Sequence, residues 1–228
     1  MAGSRIRLVH MYGFTFHPGT GVPKLTIETE LIYQEILKSW EQYDQTVLLG
    51  GWLCSRKKGW FMPDQPTSAK VVYELLLAMG VPKERLVTQF DPQLKTRFNS
   101  GEVYCRDIQP ARCTMEEADL GLHLLHALTL RYPLWVPFEA LCLGFHARRV
   151  RLIWQSRRAN CQKVVGVPLP CWRLRLRLLP RILQEPVGIL ITRKDPLGKG
   201  KFFGDLRGDR THDGAQRYRK VVSPDDWE

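Results

Sequence analysis

The stretch Thr46-Val47-Leu48-Leu49-Gly50-Gly51 decides the fold class, because it is a short apolar run that stops at two glycines. An uninterrupted apolar run of about four to eight residues is typical of a strand that is buried on both faces. Residues 25–43 before it and residues 68–79 after it carry apolar side chains at helical spacing. A buried strand between two helices predicts a parallel sheet that helices cover.

The same alternation continues along the chain in both directions. Further strands are predicted at residues 5–16, 86–90, 134–136 and 164–167, and further helices at 114–130 and within 138–154. Residues 91–112 show no persistent period, and residues 172–178 fit a strand or a basic amphipathic helix equally well. We expect an α/β fold with three layers, in which helices cover both faces of a Rossmann-like, mostly parallel sheet of about five strands.

One domain followed by a tail is the predicted organisation, with the domain at residues 1–190 and a charged, Gly-rich tail at 191–228. No apolar segment of signal-peptide length follows the N-terminus, and no uncharged run of about 18 residues occurs. The six cysteines show no C-x-x-C spacing. These features predict a cytoplasmic protein with reduced thiols and no membrane span.

The positive charge is concentrated in the C-terminal third of the chain. The whole chain carries +11, whereas residues 148–220 contain 19 Lys or Arg and 5 Asp or Glu, a net charge of +14. Such asymmetry favours an anionic partner, namely a phosphate-bearing ligand, a nucleic acid or an acidic surface. A solvated basic face is the alternative.

Two groups of residues are candidates for the ligand site. Ligands of doubly wound sheets bind beyond the carboxyl ends of the strands, where Gly50 and Gly51 are expected. Glycines there let an anion approach backbone N–H groups, although a tight turn without a ligand also explains them. His146 and Arg149 are three residues apart, so on a helix they share one face. We predict His146 as the catalytic residue and Arg149 as an anion clamp; the alternative is a solvated helix face.

Four segments resemble the YdcF/ElyC/SanA-like family, whose members contain a domain of unknown function. They are VLLGGW (47–52), SAKVVYELLLAMGVPKERLV (68–87), TMEEA (114–118) and HARR (146–149), and the resemblance covers roughly residues 8–168. It implies a Rossmann-like fold, and some members are linked to the bacterial cell envelope. Ser68 stands where the second helix of the family usually begins with Ser-Glu, but here Ala69 and Lys70 follow, so the carboxylate is missing.

The resemblance also implies that Ser68, Thr114 and Glu117 lie near the ligand pocket. The spacing T-x-x-E is itself the pattern of a capping box at a helix start, which accounts for Thr114 and Glu117 without any ligand. His123 and His126 share a helix face but have no third ligand at metal spacing, and Asp205, Asp209, His212 and Asp213 match no metal motif. We therefore predict no metal site and name no cofactor.

The sequence supports three functions, and whether the protein is an enzyme is left open. The first is binding of a small anionic ligand, nucleotide-like or phosphorylated, at the carboxyl edge of the sheet. The second is nucleic-acid binding through the basic C-terminal third, with Trp154 and Trp172 for stacking and eight arginines: Arg148, Arg149, Arg151, Arg157, Arg158, Arg173, Arg175 and Arg177. The third is a non-catalytic interaction domain that has lost its site.

Overall fold

Five parallel strands form the central sheet of the protein, in a computed structural model that describes residues 5–16, 22–50, 66–98, 101–108, 111 and 114–195. The strands in chain order are β1 (Ile6–His10), β2 (Phe14–Phe16), β3 (Pro23–Leu25), β4 (Gln45–Leu49), β5 (Leu86–Val87), β6 (Lys95–Phe98), β7 (Gly101–Tyr104), β8 (Phe138–Leu143) and β9 (Cys161–Val167). The helices are α1 (Ile27–Ser39), α2 (Ser68–Ala78), α3 (Thr114–Thr129), α4 (Ala147–Ser156) and α5 (Trp172–Lys194).

The order of strands across the sheet is β5-β4-β1-β8-β9. Leu8 of β1 lies opposite Val47 of β4 on one side and Ala140 of β8 on the other, and both pairings are parallel. The chain therefore builds one half of the sheet outward from β1 and then returns to build the other half from β8. This is the doubly wound arrangement of Rossmann-like folds, so the predicted fold class is confirmed.

Two hydrophobic cores sandwich this sheet. Successive residues of a strand point to opposite faces, so Leu8 and Val47 pack toward α3 and α4, whereas Val9 and Leu48 pack toward α1 and α2. The central strands are apolar on both faces because both faces are covered, as the unbroken run before Gly50 predicts.

The boundaries of α2 follow from its sequence. The hydroxyl of Thr67 accepts a hydrogen bond from the backbone N–H of Lys70 and caps the first turn. Gly80 ends the helix with φ +85°, a conformation that favours glycine, and Val81 N–H donates to the carbonyl of Leu76. The helix predicted at residues 68–79 therefore ends at the glycine that directly follows it in the sequence.

The fourth strand was predicted at the wrong place. Leu134 and Trp135 belong to a short 3₁₀ turn at Pro133–Trp135, and the strand is Phe138–Leu143, within a stretch predicted as helical. Pro133 and Pro137 flank residues 134–136 and lack the N–H group that a strand ladder requires. Helix formers such as Glu139 and Ala140 nevertheless adopt β structure, because β8 is paired on both sides by β1 and β9.

Three other segments differ from their predictions or were left open. The irregular region 91–112 contains an antiparallel hairpin of β6 and β7, and β5 is shorter than residues 86–90. The ambiguous segment 172–178 begins α5, which continues to Lys194 and so runs past the predicted domain boundary at 190. Residues 196–228, most of the predicted tail, lie outside the described residues.

Among the described residues, no helix combines the length and the apolar composition that crossing a membrane requires.

Candidate functional site

The reversal in strand order places the candidate site between β1 and β8. Both strands end at the same edge of the sheet, β1 at His10 and β8 at Leu143, because they are parallel. In folds of this type the crevice outside these two carboxyl ends is where ligands bind. The residues that follow β1 and β8 are therefore candidates to contact a ligand.

His146 and Glu185, which are buried, form a cluster with the half-buried Arg149 at this edge. His146 ends the short 3₁₀ turn that follows β8, Arg149 lies in the first turn of α4, and Glu185 comes from the middle of α5. The Oε1 atom of Glu185 lies 2.5 Å from Nδ1 of His146 and 3.2 Å from Nη2 of Arg149. The structure thus brings together the two predicted residues, and both meet one carboxylate oxygen.

The hydrogen bonding of this cluster fixes the tautomer of His146. Its Nδ1 atom faces a carboxylate, which only accepts hydrogen bonds, so Nδ1 carries the proton and donates it to Glu185. The 3.1 Å approach of Arg149 Nη2 to the same Nδ1 is then a contact between two donors that share one acceptor. Burial lowers the pKa of His146, while its hydrogen bond to Glu185 opposes that shift. The imidazole is consequently a neutral Nδ1–H donor at neutral pH.

Tyr12 holds the imidazole ring in place. Its ring stacks on that of His146 with centroids 4.8 Å apart and an interplanar angle of 16°. The phenol oxygen accepts a hydrogen bond of 3.3 Å from the backbone N–H of Leu143, at the end of β8. Burial raises the pKa of Tyr12, so its hydroxyl stays protonated. Tyr12 thus connects the carboxyl ends of β1 and β8 beneath the candidate site.

Two polar atoms of the cluster are buried without a hydrogen-bond partner in the described residues. They are Nε of Arg149 and Oε2 of Glu185. Helix α5 packs directly on this guanidinium, since a Cβ atom placed on Gly188 would lie 2.8 Å from Arg149 Nη1. Buried polar groups are normally paired, so this cluster has unused hydrogen-bonding capacity.

A second buried network fixes His10 at the end of β1. Its Nδ1 lies 2.9 Å from Oε2 of Glu117, and its Nε2 accepts a 3.2 Å hydrogen bond from the indole N–H of Trp154. The imidazole is 1% exposed and both ring nitrogens are engaged, so it fastens β1 to α3 and α4. The predicted ligand residue Glu117 therefore directs its carboxylate at His10, a tertiary contact that the T-x-x-E pattern does not reveal. Thr114 is the first residue of α3.

Gly50 and Ser68 meet at the junction of β4 and α2. A Cβ atom on Gly50 would collide with the Ser68 hydroxyl and lie 2.7 Å from the backbone nitrogen of Ala69. The missing side chain of Gly50 thus lets the first turn of α2 approach the strand end. Gly51, its predicted partner, lies outside the described residues.

We expect Gly50→Ala to lower the free energy of unfolding by about 1–3 kcal/mol, because overpacking against a backbone atom cannot relax by side-chain rotation. Urea unfolding followed by circular dichroism measures the change. The double variant Gly50→Ala/Ser68→Ala should recover only part of the loss, since the contact with the nitrogen of Ala69 remains. If Gly50→Ala is as stable as the wild type, the close packing of α2 against Gly50 does not contribute to stability.

The nucleic-acid hypothesis loses two of its proposed contacts. Trp154 and Arg157 are each 1% exposed; the indole belongs to the core, and the guanidinium pairs with Asp119 through hydrogen bonds of 2.7 and 2.9 Å. Neither side chain is available to a base or a phosphate. The arginines of α5 at 173, 175 and 177 and the nearby Trp172 are exposed.

The described residues contain no group of three or more His, Cys, Asp or Glu side chains arranged to hold a metal ion. Burial, and next the neighbouring His126, lowers the pKa of His123 to about 3, so His123 is a neutral core residue of α3. Burial also raises the pKa of Cys142, in β8, to about 12, which keeps this thiol protonated and a poor nucleophile. The tail residues from Asp205 to Asp213 lie outside the described part of the chain.

Comparisons of the chain with protein-family models, with curated proteins and with solved structures give no match. The chemistry of the carboxyl edge is therefore the basis for any assignment of function.

Proposed function

We propose that the protein binds a small anionic ligand, nucleotide-like or phosphorylated, at the carboxyl edge of the sheet through His146 and Arg149. The observation that carries the proposal is their convergence on one carboxylate oxygen of Glu185, at 2.5 and 3.2 Å. Two donors that hold a carboxylate have the chemistry to hold a phosphate. Their position beside the reversal of strand order is where such folds bind ligands.

In this proposal the carboxylate of Glu185 occupies the position that the anionic group of the ligand takes. Exchanging one anion for another keeps the charge of the cluster balanced, so Arg149 is never left buried and unpaired. A phosphate also offers more acceptor atoms than one carboxylate oxygen does. It would provide a partner for Nε of Arg149, which has none among the described residues.

His146 is also the residue that we propose for proton transfer, should the bound ligand react. A general base must start in the neutral form, which burial favours by lowering the pKa of His146. The stacked Tyr12 ring supports it further by holding the imidazole in one orientation.

A divergent membership of the YdcF/ElyC/SanA-like family remains part of the proposal. Its support is the H-x-x-R pair at the candidate site and a Rossmann-like order of strands.

We also propose that the protein is located in the cytoplasm. Cys105, Cys142, Cys161 and Cys171 are free thiols, the form that a reducing compartment maintains.

The test is a thermal-shift screen of nucleotides, S-adenosylmethionine and sugar phosphates against the wild type and four variants. A ligand at about 100 times its Kd should stabilise the wild type by about 2.7 kcal/mol. Glu185→Gln should bind the same compound more tightly, because the competing carboxylate is gone while the shape of the side chain is kept. His146→Gln and Arg149→Gln should lose the shift.

Arg148→Gln is the matched control, since Arg148 is an exposed neighbour on α4, and it should respond like the wild type. The proposal is wrong if no compound stabilises either the wild type or Glu185→Gln. It is equally wrong if the shift persists in both His146→Gln and Arg149→Gln.

A second candidate is a non-catalytic interaction domain. Two observations favour it: the first turn of α2 packs against Gly50, and Glu185 already satisfies His146 and Arg149. Under this hypothesis Glu185→Gln lowers the melting temperature, and no compound in the screen restores it.

A further inference from the structure

An apolar stripe runs along the outward face of α5. Its members follow one another at steps of three or four residues, the spacing that places side chains on one side of a helix. All are between 42% and 66% exposed: Trp172, Leu176, Leu179, Leu183, Val187 and Leu190. We call these six residues the α5 stripe.

The opposite face of α5 is the one that contacts the domain. Leu178, Glu185 and Thr192 are buried there at steps of seven residues. On the same side Glu185 pairs with His146, and Arg181 pairs with Glu28 at the start of α1. This helix is thus fixed to the carboxyl edge partly by ion pairs and partly by apolar side chains such as Leu178, while a second row of apolar side chains points outward.

An ordinary surface helix turns its apolar face to the core and a polar face outward, whereas α5 also carries a row of apolar side chains on its outward face. Single exposed apolar residues are common on proteins, but a continuous row of six marks a surface that another body covers. The α5 stripe therefore has the character of a docking surface.

The charge of α5 identifies the kind of surface that it fits. The helix contains six basic residues and one acidic residue, Glu185, which is buried. Arg173, Arg175 and Arg193 lie within three or four residues of members of the stripe and are exposed. An apolar row with arginines along its sides and a tryptophan at one end is the pattern of a helix that lies in the plane of a membrane interface.

We infer that the α5 stripe docks the protein on a membrane surface that contains anionic lipids. The aliphatic side chains enter the boundary between head groups and acyl chains, while the arginine stems extend upward so that their guanidinium groups meet lipid phosphates. The helix lies on the membrane and does not cross it.

Two other occupants fit the stripe less well. A second copy of this chain would bring the same arginines to the interface, and α5 offers no exposed carboxylate to pair with them. A single-stranded nucleic acid would use the arginines and stack on Trp172. It would, however, leave the five aliphatic members of the stripe in water.

Flotation of the full chain with vesicles tests the inference. We expect binding to phosphatidylcholine vesicles that contain phosphatidylserine, weaker binding to pure phosphatidylcholine vesicles, and loss of binding as salt is raised. Leu176→Ser/Leu183→Ser should lower the partition coefficient by about tenfold or more, because two apolar side chains no longer enter the lipid. Neutralising Arg173, Arg175 and Arg177 with glutamine should lower it by about a hundredfold on anionic vesicles.

Leu130→Ser is the matched control, since Leu130 is 80% exposed but lies outside α5, and its binding should equal that of the wild type. Unfolding transitions of all variants are measured first, so that loss of binding is separated from loss of folding. The inference is overturned if the wild type does not float with anionic vesicles, or if the stripe variants float as well as the wild type.

Each alternative occupant has its own signature. Binding of RNA that Leu176→Ser/Leu183→Ser does not weaken, without flotation, would assign the arginines to a nucleic acid. A dimer in sedimentation that the same variant dissociates, again without flotation, would assign the stripe to a second copy. A lower melting temperature of this variant without vesicle binding would show that the chain itself covers the stripe. Any of these results rejects the membrane inference and leaves the ligand proposal for His146 and Arg149 to its own screen.

Discussion

Arg157→Ala is expected to lower the free energy of unfolding by about 3–5 kcal/mol, the usual loss when one partner of a buried ion pair is removed. The guanidinium is 1% exposed and binds both carboxylate oxygens of Asp119, at 2.7 and 2.9 Å. It also donates to the backbone carbonyls of Met115 and Ile153. Removing it would leave the Asp119 carboxylate buried between α3 and α4 with much of its charge uncompensated.

Chemical unfolding of Arg157→Ala and of Arg148→Ala measures this effect against a matched control. Arg148 is an exposed arginine on α4, so its replacement should change stability by less than about 0.5 kcal/mol. The double variant Asp119→Leu/Arg157→Leu should be more stable than Arg157→Ala, since no unpaired charge remains buried. If Arg157→Ala is as stable as Arg148→Ala, the ion pair does not join the two helices.

Acid should destabilise the protein through His123. Burial lowers its folded-state pKa from 6.5 to about 3, so between these values the unfolded chain binds a proton that the folded chain does not. The free energy of unfolding therefore falls as pH decreases from about 6.5 to about 3, by at most about 1.4 kcal/mol per pH unit for this one proton. His146, whose pKa is also lowered by burial, contributes with the same sign.

Urea titrations at several pH values between 7 and 4 test this prediction through the slope of stability against pH. His123→Leu should flatten the slope even if the substitution changes stability at pH 7, because the titrating group is gone. His126→Gln should keep most of the slope, since burial is the larger cause of the lowered pKa and the His126 charge the smaller one. An unchanged slope in His123→Leu would contradict the assignment.

The architecture was largely predictable because its signals are local. The apolar run before Gly50 gave a buried strand, and Gly80 gave the end of α2. Residues 134–143 were misassigned because a central strand derives its structure from its neighbours. Glu139 and Ala140 carry no strong strand preference, and they adopt β structure because β1 and β9 pair with them on both sides.

The site was predictable only where its residues are neighbours in sequence. His146 and Arg149 are three apart, so a helix brings them together whatever the fold. Glu185 comes from α5, whose first residues, 172–178, fitted a strand or a helix equally well, and Tyr12 lies just after β1. The pair His10 and Glu117 is separated by 107 positions in the chain. Contacts of that kind depend on the order of strands across the sheet, which no local pattern encodes.

The central position of β1 has a consequence for how the chain folds during synthesis. Ile6 pairs with Gln45 on one side and with Phe138 on the other, so one edge of β1 stays open until β8 has left the ribosome. Contacts that span so much of the chain form slowly, and an open apolar strand edge invites pairing with other nascent chains. Chaperone dependence should therefore be greatest for nascent chains in which residues 138–143 have not yet left the ribosome.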